Sequence, residues 1–398
     1  MTNDYDVAIV GGRVAGAATA LLLARAGVRV AVMERTAYGT DALSTHGLMR
    51  AGVMQLSRWG VLDDVIAAGT PAVGEAVFHY TETEPVRVAI RVTPRVPALY
   101  APRRYLLDRI LVDAAAEAGA EVRHESTVTG LLGDADGRVA GVRTRDRSGQ
   151  TSALRASITV GADGPQSAVA KFVDAPLRRQ GAAASAVLYR YFSNLPTTGY
   201  EWAYGSHAAA GFIPTNEELT AVFVSTTRGR MRELIRREGA GGALETLLKA
   251  IAPPLAERVA AGGVESRVHG WAGRPGHARQ SWGPGWALVG DAGYYTDPIT
   301  THGITNALRD AELVAHELLE VLSGTAREEL ALARYQSTRD RLSSRLFDAT
   351  ERVASYDWGS HDIPALLREV SSAMSAEVDY LETLPVHRES DDYEPLYG

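Results

Sequence analysis

Apolar runs that stop at glycine turns organise the beginning of the chain. Residues 5–10 form a short apolar run that ends at a glycine pair, and helix formers with a single charge follow over residues 15–26. A second, β-branched run over residues 28–33 ends at Glu34. This order predicts a strand, a tight turn, a buried helix and a second strand, which together form a β-α-β unit with parallel strands.

The pattern continues with a helix and three strands. Apolar residues recur at helical spacing over residues 106–115, and a strand is predicted at residues 121–123. Two further strands are predicted at residues 139–145 and 153–160, and the second of them runs into the glycine turn of residues 161–164.

The residue pattern changes between residues 184 and 225. Short runs there alternate aromatic and polar residues and are separated by Pro and Gly. This pattern predicts a separate antiparallel sheet. Helices are predicted at residues 228–237 and 244–251, and a returning strand at residues 264–269.

The last third of the chain returns to the first pattern. Residues 286–289 form an apolar run that ends at a glycine, and a long helix is predicted over residues 303–322. Helical structure is expected to about residue 356 and mixed structure after it. The acidic stretch 389–394 is expected to be a mobile tail.

Composition narrows the class of protein. The 398 residues are 45% hydrophobic and 22% charged, which is typical of a globular protein with room for two domains. A net charge of -7 argues against nucleic acid and anionic lipid as partners. No apolar stretch is long enough to span a bilayer, and Asp4 and Asp6 precede the first apolar run, so neither a membrane span nor a signal peptide is predicted and a cytoplasmic protein is expected. The absence of Cys excludes disulfides and thiolate sites, and the ten His residues show no metal-ligand spacing.

The first glycine turn has the features of a dinucleotide site. It approximates G-x-G-x-x-G, with Arg13 in place of the second glycine. Gly11 permits the turn, Gly16 allows close packing of helix and strand, and the helix N-terminus directs N–H groups at a pyrophosphate. Glu34 is placed to bind the adenosine ribose. The predicted cofactor contacts of this unit are Gly11, Gly12, Arg13, Gly16, Glu34 and Arg35.

Two later motifs extend this pattern. Residues 161–171 read GADGPQSAVAK and match D-G-x-x-S-x-V-R/K, while Gly290-Asp291-Ala292 is followed by Asp297-Pro298 and by Gly303 at a helix start. With three motifs in this order, the chain resembles the FAD-dependent monooxygenases of the p-hydroxybenzoate hydroxylase type and the related geranylgeranyl reductase-like flavoprotein oxidoreductases. The resemblance covers most of residues 4–325.

The resemblance implies an α/β fold with a Rossmann-like FAD-binding domain of the GR2 type, interrupted by a mostly antiparallel substrate-binding sheet and followed by C-terminal helices. The expected FAD-binding domain comprises residues 1–75, 100–178 and 275–325. The substrate-binding domain comprises 76–99 and 179–274, and the C-terminal helices and acidic tail comprise 326–398. FAD is the expected resident cofactor. NAD(P)H is expected to dock transiently, because no second β-α-β unit with a glycine turn follows.

The resemblance also assigns residues to the flavin. Asp163 and Gly164 support the pyrophosphate side and NAD(P)H access, Asp291 binds the ribityl chain, and Arg104 contacts the flavin. The helix that starts at Gly303 directs its positive end at the ring. Gly290 and Ile304 complete the expected cofactor site. The usual G-Q-G before this helix is here Thr301-His302-Gly303, and the usual A-H after G-D-A is Gly293-Tyr294.

Three residues are candidates for catalysis. Pro298 supplies a rigid wall beside the ring, and His46 and His302 are placed to flank it. Aromatic residues of the predicted sheet are candidate walls for a flat or hydrophobic substrate: Tyr189, Tyr191, Trp202, Tyr204 and Phe212.

The expected function is NAD(P)H-dependent hydroxylation of an aromatic or polyketide-like small molecule in secondary metabolism. The reaction is expected to use dioxygen through a flavin C4a-hydroperoxide, and the protein is expected to be a monomer or homodimer. A dehydrogenase or ene-reductase using hydride at N5 remains an alternative, with His46, His302 or Tyr294 as proton donor. A flavin-binding protein without turnover is a second alternative. Halogenation is disfavoured, because residues 211–214 lack the tryptophans of the W-x-W-x-I-P segment.

Overall fold

The computed structural model describes residues 4–80, 84–205 and 207–385. The strands are β1 (Tyr5–Val10), β2 (Val30–Met33), β3 (Glu75–Tyr80), β4 (Val86–Ala89), β5 (Glu121–Arg123), β6 (Thr127–Gly133), β7 (Val139–Arg145), β8 (Thr151–Gly161), β9 (Leu177–Gln180), β10 (Ser185–Ser193), β11 (Tyr200–Gly205), β12 (Ala208–Pro214), β13 (Thr220–Thr227), β14 (Gly263–Val264), β15 (His269–Trp271), β16 (His277–Arg279), β17 (Trp282–Gly283), β18 (Trp286–Leu288) and β19 (Tyr294–Tyr295). The helices are α1 (Val14–Arg25), α2 (Arg50–Arg58), α3 (Leu62–Ala67), α4 (Arg104–Glu117), α5 (Ala168–Phe172), α6 (Arg228–Ile251), α7 (Pro253–Ala261), α8 (Gly303–Leu322), α9 (Glu328–Ala354) and α10 (Ile363–Leu381).

A parallel sheet forms the centre of the first layer. Its strand order is β17-β18-β8-β1-β2-β5, and β6 and β7 continue from β8. Val10 pairs with Met33 on one side and with Gly161 on the other, so β1, β2 and β8 end at the same edge. Leu288 of β18 also pairs with Gly161. The predicted β-α-β unit is confirmed, and the turns that follow these strands meet at one edge of the sheet.

A second sheet lies apart from the first. Its order is β14-β10-β13-β12-β11-β3-β4, with β15 beside β10. Neighbouring strands are antiparallel except β3 and β11, which run parallel. One face of this sheet packs on the parallel-sheet layer, and the other packs on α6 and α7. A short sheet of β9, β16 and β19 lies beside them.

Helices cover the parallel sheet and connect it to the C-terminus. α1 contacts both α4 and α8, α8 contacts α9, and α10 contacts α9 and α2. Within the described ranges no helix is long and apolar enough to cross a membrane. The acidic stretch 389–394 lies outside the described residues.

The structure corrects one local prediction and adds detail to two others. The helices predicted at 228–237 and 244–251 are confirmed as the two halves of α6, which are separated by a kink at Gly239 with φ of +72°. The strand predicted at 264–269 is replaced by β14 and β15, which pair with different parts of β10. The mixed structure expected after residue 356 contains α10, whose apolar residues recur at helical spacing and are buried.

Candidate active site

The first glycine turn joins β1 to α1 at the carboxyl edge of the parallel sheet. Gly11 has φ of +102°, and a Cβ there would lie 2.5 Å from the carbonyl oxygen of Ala162. A Cβ at Gly16 would lie 1.8 Å from the carbonyl oxygen of Gly11. Backbone therefore approaches backbone too closely for any side chain. α1 begins at Val14 without a side-chain cap, so the first N–H groups of the helix are available to an anion.

Glu34 closes one side of this turn. It is buried at the end of β2 and accepts hydrogen bonds from Gly12 N at 2.8 Å and from the Thr36 N and Oγ1 at 2.8 and 2.7 Å. Burial alone would raise the pKa of Glu34, but these hydrogen bonds and the charge of Arg13 lower it. The ionised carboxylate keeps lone pairs for a further hydroxyl group.

Two of the three arginines predicted to contact the cofactor, Arg13 and Arg104, lie near the same carboxylate, that of Asp108. Arg104 pairs with Asp108 one turn along α4, with Nη2 2.9 Å from Oδ1. Arg13 Nη1 lies 3.7 Å from Asp108 Oδ2. Arg104 also stabilises the ionised form of Asp291, so both lie in the same site. Arg35 is exposed beside Glu34.

The second motif forms a capped turn after β8. Asp163 Oδ2 accepts hydrogen bonds from Ala168 N at 2.6 Å and Val169 N at 3.2 Å, at the start of α5. Asp163 Oδ1 is buried and has no hydrogen-bond partner among the described residues. Gly164 has φ of +80° and open space where a Cβ would point. The turn is therefore held from one carboxylate oxygen, while the other remains an acceptor.

The third motif follows β18 and lies beside α1. Gly290 has φ of +55°, and its N–H donates to Asp310 Oδ2 at 3.0 Å. A Cβ at Gly290 would lie 3.1 Å from the Cβ of Ala15 on α1. Asp291 is partly accessible, and removal of water by the surrounding protein raises its pKa to about 7, against the opposing charge of Arg104.

The N-terminus of α8 is open. Pro298 is half-buried in a short 3-10 helix (Pro298–Thr300), and Thr301 turns the chain with φ of +54°. Gly303 is exposed, with no atom within 4 Å of its Cβ position. The side chain of His302 does not cap the helix, and the N–H groups of Gly303 and Ile304 have no side-chain acceptor among the described residues.

His46 lies between the two sheets. It is fully buried with φ of +66°, and its Nε2 forms a hydrogen bond with the hydroxyl of Tyr191 on β10. Its Nδ1 has no partner within the part of the chain that the structure describes. Burial, assisted by the charge of Arg103, lowers the pKa of His46 to about 3. His46 is therefore neutral at neutral pH.

The other two candidate proton donors contact C-terminal helices. His302 Nε2 bonds to Glu377 on α10, and both side chains are buried. Tyr294 donates to the carbonyl oxygen of Ser343 on α9 at 3.3 Å, and burial raises its pKa. The two histidines therefore form hydrogen bonds with different residues: His46 with Tyr191 of the second sheet, and His302 with Glu377 of α10. Their catalytic roles, and that of Pro298, stay predictions.

Four of the five predicted substrate residues lie on one face of the second sheet, the face toward the parallel-sheet layer: Tyr189, Tyr191, Trp202 and Tyr204. Phe212 was wrongly placed with them. It is paired with Glu201 and points to the opposite face, where it packs among residues of α6 and α7 and lies 5.3 Å from the Arg258 guanidinium. Successive strand residues alternate between faces, and the register puts Phe212 on the outer one.

Four other residues of this region were not predicted. Phe223 pairs with Tyr189 in register and packs against Trp202 at a centroid distance of 5.7 Å. His269 stacks on Tyr189, and the Arg103 guanidinium lies 4.1 Å from the ring centre of Tyr191. Trp358 packs on Tyr204 from the segment between α9 and α10. The run 221–224 is apolar at every position, so its sequence carries no alternation that would mark the inner face.

A family model described as FAD binding domain matches residues 4–350. The chain belongs to this family. Aklavinone 12-hydroxylase DnrF of Streptomyces peucetius is 30% identical to this chain over 429 aligned positions, which cover 98% of this chain and 83% of the relative. A digeranylgeranylglycerophospholipid reductase of Methanocella arvoryzae is 25% identical to this chain, and the alignment covers 87% of this chain and 86% of the reductase. A triple mutant of the flavin-dependent brominase Bmp2 superposes with a TM-score of 0.78 at 17% identity, covering 95% of this chain and 98% of its own, and shows the fold alone. The protein is an FAD-dependent oxidoreductase.

The residues present fit FAD. The uncapped N-termini of α1 and α8 supply donors for the pyrophosphate and for the oxygen-bearing edge of the ring. Glu34 and Asp291 would be the acceptors for the adenosine ribose and ribityl hydroxyls, and Asp163 Oδ1, which has no hydrogen-bond partner among the described residues, would be a third acceptor. Within the described ranges no group of three or more His, Asp or Glu side chains could hold a metal ion.

Asp291 makes the stability of the FAD-free protein depend on pH. Its pKa of about 7 means that the folded protein holds a proton that the unfolded chain releases near pH ~4. The free energy of unfolding therefore falls as pH rises from about 4 to about 7. We expect Asp291→Asn, which cannot ionise, to remove roughly 2 kcal/mol of this fall between about pH 5 and about pH 8 in urea unfolding of the FAD-free protein. Parallel profiles for the two proteins would contradict the raised pKa.

Proposed function

We propose that this flavoprotein is an NAD(P)H-dependent monooxygenase that hydroxylates an aromatic or polyketide-like small molecule. The relative at 30% identity is named a hydroxylase of aklavinone, and the alignment covers almost the whole of this chain. The aromatic inner face of the second sheet, at the edge of the predicted FAD site, suits a flat apolar substrate.

The protonation and the hydrogen bonds of the three candidate proton donors support this proposal most directly. Reduction of a carbon–carbon double bond needs a proton donor at the carbon opposite the hydride. His46 is neutral because its pKa is lowered, and His302 is hydrogen-bonded to the carboxylate of Glu377. The Tyr294 hydroxyl donates to the carbonyl oxygen of Ser343. Hydroxylation makes a smaller demand on protein acids and bases, so this arrangement favours it.

Bound FAD, once reduced, would supply the electrons that activate dioxygen for transfer of one oxygen atom. The protein has to hold the substrate carbon in place and keep water away. Tyr189, Tyr191 and Trp202 would form the walls around the substrate, and all three side chains are buried. Trp358 covers Tyr204 at the far end of the sheet. Arg103 is paired with Asp41 and lies over the Tyr191 ring, so it places a positive charge beside Tyr191.

A reductase is the second candidate. The Methanocella relative is named a reductase, and its alignment covers most of both chains. His46 also keeps a buried Nδ1 without a partner among the described residues, which is a feature of ligand contacts. A flavin-binding protein without turnover is the third candidate.

Isotope labelling distinguishes the three candidates. The FAD-loaded protein is incubated with NAD(P)H and a panel of aromatic and polyketide-like compounds under ¹⁸O₂. We expect a compound that accelerates NAD(P)H oxidation and gains one ¹⁸O atom. A product that gains two hydrogens without oxygen would replace the hydroxylase by the reductase. Absence of stimulated NAD(P)H oxidation across the panel would favour the role without turnover.

A further inference from the structure

A buried carboxylate of the C-terminal helix contacts the residue that precedes α8. Glu377 on α10 bonds through Oε2 to His302 Nε2. Its other oxygen, Oε1, accepts a hydrogen bond from Arg309 Nη1 at 3.1 Å. The side chains of all three residues are no more than 2% exposed. One carboxylate therefore contacts both the residue that precedes α8 and the second turn of that helix.

The contacts continue to the third motif. Arg309 donates to Asp310 Oδ1 through Nε at 2.9 Å and Nη2 at 2.7 Å, and to Asn306 Oδ1 at 2.9 Å. Asp310 Oδ2 accepts the N–H of Gly290, the residue before Asp291. A single buried chain of hydrogen bonds thus links α10 to both parts of the predicted flavin site, the N-terminus of α8 and the Gly290 turn.

We propose that Glu377 is a positioning residue that couples the docking of α10 to the binding of FAD. Undocking α10 would remove the acceptor of His302 Nε2 and one of the three acceptors of Arg309, which would keep Asp310 and Asn306. A buried donor left without its acceptor is costly, so the undocked state is disfavoured. Burial alone would raise the pKa of Glu377, but His302 and Arg309 lower it, which agrees with an ionised carboxylate. α10 lies beyond the residues 4–350 that the family model matches, so the coupling belongs to the C-terminal region of this chain.

A second contact holds the end of α10 to the same layer. Arg58 of α2 donates to the carbonyl oxygens of Leu381 and Leu384, and its guanidinium lies 3.2 Å from Glu312 of α8. α10 is thus tied to α8 directly and through α2. Coupling between two sites is reciprocal, so FAD should strengthen the docking of α10 as much as docked α10 strengthens FAD binding. This inference rests on membership of the FAD-binding family and not on hydroxylation.

The test compares Glu377→Gln with Asp379→Asn. Asp379 is exposed on the same helix, so the control removes an equal charge without touching the chain of hydrogen bonds. In the wild-type protein we expect FAD to slow amide hydrogen exchange over residues 363–381. In Glu377→Gln we expect about tenfold weaker FAD binding, loss of this FAD-dependent protection, and a shifted visible spectrum of bound FAD at saturating FAD. The control should match the wild type in all three measurements.

The readouts separate a coupling role from a merely structural one. A Glu377→Gln protein that unfolds at lower temperature but keeps wild-type FAD affinity and spectrum would overturn the proposal, and so would wild-type α10 exchange that ignores FAD. If Glu377→Gln does not fold, His302→Gln removes one contact and leaves the Arg309 pair. Wild-type FAD affinity and α10 protection in that variant would likewise overturn the proposal. None of these measurements uses substrate turnover, so they remain decisive if the hydroxylase proposal fails.

Discussion

Asp291→Ala protein is expected to emerge from purification without FAD, whereas the wild type emerges yellow. Asp291 is the acidic residue of the third motif, and the charge of Arg104 lowers its pKa against the larger effect of burial. The N–H of the preceding residue, Gly290, donates to Asp310 of α8. Alanine would leave ribityl hydroxyls without an acceptor in a desolvated site, at a cost of roughly 1 to 3 kcal/mol for each group. Two such hydroxyls correspond to at least a ~30-fold loss of affinity. The ratio of flavin to protein absorbance and a titration with FAD measure the effect.

Glu34→Ala is the matched control for this prediction. Glu34 also lies at the carboxyl edge of the parallel sheet, but the hydroxyls of an adenosine ribose can be rehydrated when the carboxylate is removed. We expect a smaller loss of FAD affinity than in Asp291→Ala. Wild-type FAD affinity in Asp291→Ala would refute the assignment of the third motif. The FAD-free Asp291→Ala protein should remain folded above about pH 7, because it no longer buries an ionising carboxyl group.

Gly16→Ala is expected to prevent the first layer from assembling. The new Cβ would lie 1.8 Å from the carbonyl oxygen of Gly11, 3.0 Å from its carbonyl carbon and 3.2 Å from the Cβ of Ala162. The backbone of Gly11 cannot shift away from the new Cβ, because the carbonyl group of Ala162 lies against Gly11. Overpacking of this kind between backbones should cost roughly 3 kcal/mol or more. We expect little soluble protein, and a lowered midpoint of urea unfolding with no FAD bound in whatever is soluble.

Gly241→Ala is the same substitution at a helical glycine with space around it. No atom lies within 4 Å of the Cβ position at Gly241 in α6. Alanine is favoured over glycine inside a helix by about 0.5 to 1 kcal/mol, so this variant should be slightly more stable than the wild type. If Gly16→Ala were as stable as Gly241→Ala and bound FAD normally, the close approach of α1 to the end of β1 would be wrong.

Local patterns were enough to predict the cofactor layer. The β-α-β start, the helix α8 from Gly303 to Leu322 and the glycine turns after β1, β8 and β18 were all predicted from short segments. Strand and helix periodicity are properties of ten to twenty neighbouring residues, and a glycine such as Gly11 is required by its own φ and immediate contacts. Motifs that follow parallel strands converge on one edge because parallel strands end there.

The sequence by itself therefore determined the FAD-binding layer, the existence of an aromatic sheet and the candidate cofactor residues. The fold was needed to show which aromatic residues face the parallel-sheet layer, since the strand register turns Phe212 toward α6 and α7 and Phe223 toward that layer. It also decided that Arg103 and His269 join Tyr189 and Tyr191, and that Glu377 contacts His302 from 75 residues away in the chain. These choices depend on strand register and on helix packing between distant segments. A run such as 221–224, which is apolar at every position, does not show which side chains face which layer.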